Sequence, residues 1–233
     1  MGKTRTYTSI LLVTLFVSYL VESFLRRAAN TLTPILIEEL KLSHSAMGFL
    51  ISVLSMTYGL MQIPSGVLSE RLGARKSILY FTVLTIIGVF LFWSSLGYNF
   101  LLVAQILIGL GCSTFYISAV RLITTWFPAN RKATAIGVLS ASGGLASFIA
   151  YNGFPRAIEA FGSWRPLYLG AGFILIAGWV SNIFILKDGE QEGGEEDMDD
   201  PPLGRVIVET LRDRRLYPFI AGYLLSTVAW VFM

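Results

Sequence analysis

Residues 66–76 read Gly66-Val67-Leu68-Ser69-Glu70-Arg71-Leu72-Gly73-Ala74-Arg75-Lys76. Four charges and two glycines are packed into eleven residues that end one long apolar run and begin the next. A short charged turn between two such runs is the pattern of a connection between helices that cross a bilayer, because a hydrocarbon core needs roughly 20 apolar residues of helix to span it. Working outward from this turn, the spacing predicts six spans: Tyr7–Leu36, Ala46–Ser69, Ser77–Leu96, Phe100–Trp126, Ala133–Pro155 and Trp164–Leu186. A seventh begins near Tyr217.

Composition agrees with this reading. Of 233 residues, 54% are hydrophobic and only 14% charged, against roughly 25% charged in soluble domains. The apolar runs are continuous rather than alternating, which selects helices over a transmembrane barrel. Lys3 and Arg5 before an apolar core resemble a signal peptide, but Glu22, Arg26 and Arg27 fall where a cleavage region is small and uncharged. The lone Cys112 lies in an apolar run and has no disulfide partner, and His44 has no second ligand nearby for a metal.

Lys and Arg alternate by loop. Twelve fall at the N-terminus and on the even-numbered loops, including Arg71, Arg75, Lys76, Arg131, Lys132 and the region after span six; the opposite loops carry only Lys41, Arg156 and Arg165. The positive-inside rule then places the N-terminus in the cytoplasm of a multi-pass cell-membrane protein. After span six the composition changes: residues 187–202 carry eight acidic side chains, as in a solvated linker. Leu203, Val206, Ile207 and Leu211 then share a helical face ending in Arg212, Arg214 and Arg215, the pattern of a helix lying on the cytoplasmic surface. The expected organisation is a bundle over 1–187, a linker and surface helix over 188–216, and the start of span seven over 217–233.

An internal repeat runs through the spans. Pro34, Gly48, Pro64, Gly73 and Arg75 recur in order as Pro128, Gly137, Pro155, Gly162 and Arg165, at offsets of about 90 residues. Three helices per copy force the two copies to cross the membrane in opposite senses, an inverted repeat of the kind found in transporters.

The turn at 66–76 resembles the major facilitator loop signature Gly-x-Leu-x-Asp-Arg-x-Gly-x-Arg-Arg/Lys, with Glu70 in place of the acid's usual Asp. Gly66 is expected to allow close helix approach, Gly73 a tight turn, and Glu70, Arg71, Arg75 and Lys76 to complete a gating loop. Trp126-Phe-Pro128-Ala-Asn-Arg131-Lys-Ala133-Thr-Ala-Ile-Gly137 and Gly162-Ser-Trp164-Arg165 are similar to the family's connections before spans five and six. The resemblance implies an all-α membrane fold, the N-terminal six-helix half of a twelve-span transporter, with a missing C-terminal half as partner.

Span one carries the substrate clue. Glu22, Arg26 and Arg27 sit within or at the end of a membrane helix, where charges are costly and usually functional. Arg26-Arg27 with Pro34 eight residues on is similar to span one of the organophosphate:phosphate antiporters, where an arginine–lysine pair precedes proline and the arginine binds the anion. That resemblance implies Arg26 as anion ligand and Arg27 in the lysine position. Glu22, one turn before Arg26, is placed to pair with it instead. Those antiporters have a second arginine after Tyr-Leu-Leu, whereas Tyr223-Leu-Leu is followed here by Ser226, which favours smaller or singly charged anions. Gln105, with Gly109 and Gly111, stands where many family members have arginine. Ala133, Gly137 and Ala141 form a small-residue stripe read as packing or rocking surface, and Arg121 is expected near Glu70.

The expected function is secondary transport by alternating access, as symporter or antiporter, of a small organic anion. Its partners are that solute, the lipid bilayer and the second half; no cofactor, metal, nucleic acid or covalent chemistry is indicated. Efflux of a neutral or hydrophobic compound is the alternative within transport, and a transport-dead membrane sensor or scaffold the alternative outside it. Single cysteines placed at Glu190 and Lys41 are expected to react with impermeant thiol reagents from opposite sides of the membrane, Lys41 from outside; labelling of both from outside overturns the topology.

Overall fold

The computed structural model describes residues 2–94, 97–188 and Pro218, with side chains from Thr6 onward. Every element among these is helical: α1 (Gly2–Thr31), α2 (Thr33–Leu40), α3 (His44–Leu60), α4 (Gln62–Leu72), α5 (Ala74–Ser94), α6 (Tyr98–Trp126), α7 (Ala129–Phe161) and α8 (Arg165–Ile185). Five of these helices, α1 and α5–α8, are long and apolar enough to cross a membrane; α3 and α4 pass that test together as a sixth span bent by 46°. The acidic linker beyond Asp188, the surface helix and, apart from Pro218, the start of span seven lie outside the described residues.

The structure revises three boundaries, each at a proline. Span two is two helices because Pro64 has no N–H to donate to Leu60 and its ring crowds that carbonyl; bonding resumes with the Ser65 amide on the Met61 carbonyl at 2.8 Å. Span one breaks at Leu32, with Pro34 in the first turn of α2. Span five does the opposite, running through Pro155 and ending only at Gly162, which adopts φ +67° and returns its amide to Ile158.

The helices interlock across the two repeats. From the first repeat, α1 packs on α7 and α8 of the second; from the second, α6 packs on α3, α4 and α5 of the first. This exchange is what an inverted repeat produces. The tightest crossing joins α5 to α6 and depends on missing side chains: a Cβ on Gly111 would lie 2.6 Å from the Thr85 nitrogen and 2.7 Å from the Phe81 oxygen, and one on Gly88 would lie 2.9 Å from the Ala104 oxygen. Gly66 plays no such part, since nothing lies within 4 Å of its Cβ position. Gly137 is equally open, and with Ala133 and Ala141 it forms an exposed stripe on α7.

Two apolar cores fill the bundle. One includes Phe24, Leu36, Leu50, Phe92, Phe154, Trp164 and Tyr168; the other includes Leu11, Leu15, Ile78, Phe115, Leu122 and Leu139. Between them, at corresponding depth on every long helix, lie buried polar residues: Ser18, Glu22 and Ser23 on α1, Thr82 and Thr85 on α5, Ser113 and Thr114 on α6, Ser142 on α7 and Asn182 on α8. At the far end from the N-terminus, Glu39 of α2 accepts hydrogen bonds from Trp164 Nε1 at 3.1 Å and from Arg165. Burial works to raise the Glu39 pKa, but these bonds and the Arg165 charge bring it below the ordinary glutamate value.

The glycine contacts set an expected order of stability. In thermal unfolding in detergent, Gly111→Ala should lose stability by about 1–3 kcal/mol through backbone overlap. Gly137→Ala should instead be neutral or gain up to ~1 kcal/mol from helix propensity. Equal shifts for the two would contradict the packing described.

Candidate functional site

The residues singled out on span one separate on folding. The Glu22 side chain is only 1% exposed and turns into the bundle. Its Oε1 accepts a hydrogen bond from Thr82 Oγ1 at 3.2 Å, and Cys112 Sγ approaches its backbone oxygen at 4.0 Å. Its Oε2 has no hydrogen-bond partner among the described residues. Arg26, one turn on, faces elsewhere. Its guanidinium carbon stands 4.6 Å from the ring centre of Tyr58 on α3 and 6.0 Å from that of Tyr19. Its Nη2 donates to Ser23 Oγ at 3.2 Å, and its Nε has no partner. No hydrogen bond or ion pair among the described residues links Arg26 to Glu22, so the helical pairing that their spacing allows is not made.

Arg27 folds back on its own helix, donating from Nη1 to the Ser23 carbonyl at 2.8 Å. Gln105 is 1% exposed on α6 with Nε2 unpartnered. Glu22 and Gln105 are therefore sealed inside the bundle, while Arg26, Tyr19 and Tyr58 are half-buried. The Tyr19 ring also lies tilted against that of Tyr116, centres 5.2 Å apart, and Tyr116 shares a 2.9 Å hydrogen bond with Ser140. This arrangement holds a cation among aromatic side chains, and a guanidinium suits an oxyanion. Tyr19 could have been found in the sequence, since seven residues before Arg26 is the same helical face. Tyr58 could not, because only the packing of α3 on α1 brings it there.

The turn at 66–76 is built as a latch onto the end of α8. Gly73 adopts φ +83°, a conformation that favours glycine. Just beyond it, the Arg75 amide donates to Asp188 Oδ1 at 2.9 Å, so a carboxylate from the chain after α8 caps the start of α5. Arg75 Nη2 donates to the Ile183 carbonyl at 2.8 Å, Tyr7 hydroxyl to Ile185 at 3.2 Å and Trp126 Nε1 to Lys187 at 2.9 Å. Carbonyls that end a helix without partners are thus satisfied by three other helices. Glu70 and Lys76 are exposed, as is Arg71. Arg121 reaches the backbone oxygen of Ser69 at 2.8 Å rather than the Glu70 carboxylate.

The profile of the Major Facilitator Superfamily matches residues 15–233. The chain belongs to that superfamily. It is 26% identical over 231 residues to the probable galactarate/D-glucarate transporter of Escherichia coli K12, covering 84% of this chain and 51% of that protein. It is 26% identical over 175 residues to the hexuronate transporter of Bacillus subtilis 168, covering 74% and 40%, and 28% identical over 189 residues to the probable L-galactonate transporter of E. coli K12, covering 75% and 39%. The fold is similar to that of a bacterial homologue of the human lysosomal transporter Spinster, with a TM-score of 0.67 at 18% identity over 84% of this chain and 46% of that one. The chain spans about half the length of the relatives it matches. It is a multi-pass, all-helical membrane protein with the fold of a major facilitator N-terminal half.

The capping geometry makes a direct expectation. Asp188→Ala and Gly73→Val should each speed amide hydrogen exchange at Arg75 and Lys76, the first by removing the acceptor and the second by forcing a branched residue into positive φ. Exchange unchanged in both variants would show that the carboxylate does not hold this helix end.

Proposed function

We propose that this chain forms the N-terminal half of a secondary transporter that carries a small organic anion, a sugar acid in particular, by alternating access. The carrying observation is Arg26: a guanidinium set beside two tyrosine rings, with no hydrogen bond or ion pair to the nearby carboxylate. A planar fork of N–H groups matches a carboxylate in two parallel hydrogen bonds. The relatives named as galactarate, D-glucarate, hexuronate and galactonate transporters support the same substrate class.

In this reading Arg26 is the anion ligand, with Tyr19 and Tyr58 beside it. Arg27 adds positive potential at the mouth. Glu22 and Gln105 act from inside the bundle, and must be uncovered before either touches a solute. The turn with Gly66, Glu70, Arg71, Gly73, Arg75 and Lys76 works as the gating element. The protein resides in the cell membrane with its N-terminus in the cytoplasm, joins a second six-helix half, and moves its solute without covalent chemistry.

Binding of galactarate or D-glucarate to the full-length purified protein, measured by calorimetry, tests this. Arg26→Lys keeps the charge but loses the fork and should weaken binding about tenfold or more. Arg26→Ala should remove detectable binding while the protein stays folded. Wild-type affinity in Arg26→Ala, or normal transport by the Glu22→Gln, Arg26→Gln double variant, would end the anion-ligand role and leave neutral-compound efflux as the better reading.

A further inference from the structure

A cavity of about 420 Å³ opens between α1, α7 and α8, with Leu20, Phe24, Ile149, Phe161, Gly170 and Ile174 among its walls. Its lining is apolar, so it has no partners to hold ordered water. All its residues lie in the halves of their helices farthest from the chain's N-terminus. The cavity therefore sits in one leaflet of the bilayer, the one opposite the N-terminus.

Helical register identifies the side it faces. Ile149, Gly153 and Arg156 follow one another at four and three residues, on one side of α7. That side faces α8: a Cβ on Gly153 would lie 3.4 Å from Leu167 Cδ2. The exposed small stripe of Gly137, Ala141 and Gly144 lies roughly 100° or more around the helix axis. A second bundle packed on that stripe leaves the cavity open to lipid.

Arg156, on that same side of α7 and outward of Ile149 and Gly153, is exposed and makes no hydrogen bond or ion pair to any described residue. Glu159, three residues on along α7, makes no ion pair with Arg156 among the described residues. Arg165, the other cation at this end of α7 and α8, is held by Glu39.

We propose that this cavity takes one acyl chain of a phospholipid whose phosphate is held by Arg156. An apolar slot supplies the chain site, and the Arg156 guanidinium, without a bonded partner among the described residues, supplies the anion site. The site is separate from Arg26 and does not depend on the substrate.

The test uses the full-length protein in liposomes containing phosphatidylglycerol with a photoreactive group near the end of one acyl chain, with labelled peptides mapped by mass spectrometry. Labels should concentrate on 20–24 and 167–174. Gly170→Leu, which fills open space, should remove most of this labelling, and Arg156→Gln should reduce it about fivefold. Labelling of the exposed Phe184 should stay constant in both variants and so report on folding. Labels spread evenly over the exposed helix faces would overturn the proposal. So would a cavity left unlabelled because the second half fills it, or labelling indifferent to Arg156→Gln.

Discussion

The constraint on which this bundle depends is the lack of water at mid-depth in a bilayer. A polar atom placed there is costly unless it finds a partner in the protein. The Thr82 hydroxyl on the Glu22 carboxylate at 3.2 Å is the central case. Around it, Asn182 donates to Ser18 at 3.2 Å, and Ser65 shares hydrogens with Ser113 at 3.0 Å and Thr114 at 3.2 Å. Each such bond is worth only about 0.6 kcal/mol on average. Their collective effect is on arrangement: rotating any one long helix would strand polar atoms in hydrocarbon. The layer therefore fixes rotation, and the two apolar cores on either side fill the space that remains.

Fixed rotation gives Arg26 its setting. Glu22 is committed to α5, so the residue four positions later is carried to a different neighbour, Tyr58 of α3. Had the two charges paired, the guanidinium would be neutralised and partly blocked. The tyrosine ring faces also attract the cation. In the proposed function, one turn of α1 then carries both a buried acid and a half-buried anion ligand.

Much of this was legible in the sequence because membrane physics writes coarse, redundant signals. Apolar runs marked the spans, and the charged turn at 66–76 marked a loop whose Gly73 does take positive φ. Prolines were less legible. Pro64 bent its span and Pro155 did not end its helix, since neighbouring helices decide whether the lost bond is tolerated. Glycine was ambiguous for a similar reason: Gly66 looked like a contact residue from its motif, while the close crossings fell at Gly88 and Gly111, where a facing backbone arrives. At the candidate site, Arg26 was visible as a charge out of place. The spacing of Glu22 allowed an ion pair, yet a threonine 60 residues away claimed the carboxylate instead. Tyr58 and Asp188 carried no local signal, because their roles exist only where separate helices meet.

The exchange of partners between repeats bears on how such a bundle can move. With α1 of the first repeat seated on α7 and α8, and α6 of the second on α3 to α5, sliding one repeat past the other would break the polar layer and both cores together. The latch at the end of α8 adds bonds from α1, α5 and α6. Internal rearrangement is thus expensive at every depth. The exposed face of α7 is different: Gly137 and Gly144 have nothing within 4 Å of their Cβ positions. Small residues at Ala133, Gly137, Ala141 and Gly144 let another bundle approach closely along that part of the helix, with Phe148 exposed on the same face beyond them. For the proposed alternating access, motion across that face is the route that leaves these contacts intact, with the bundle carried as a rigid body and Arg26 carried with it.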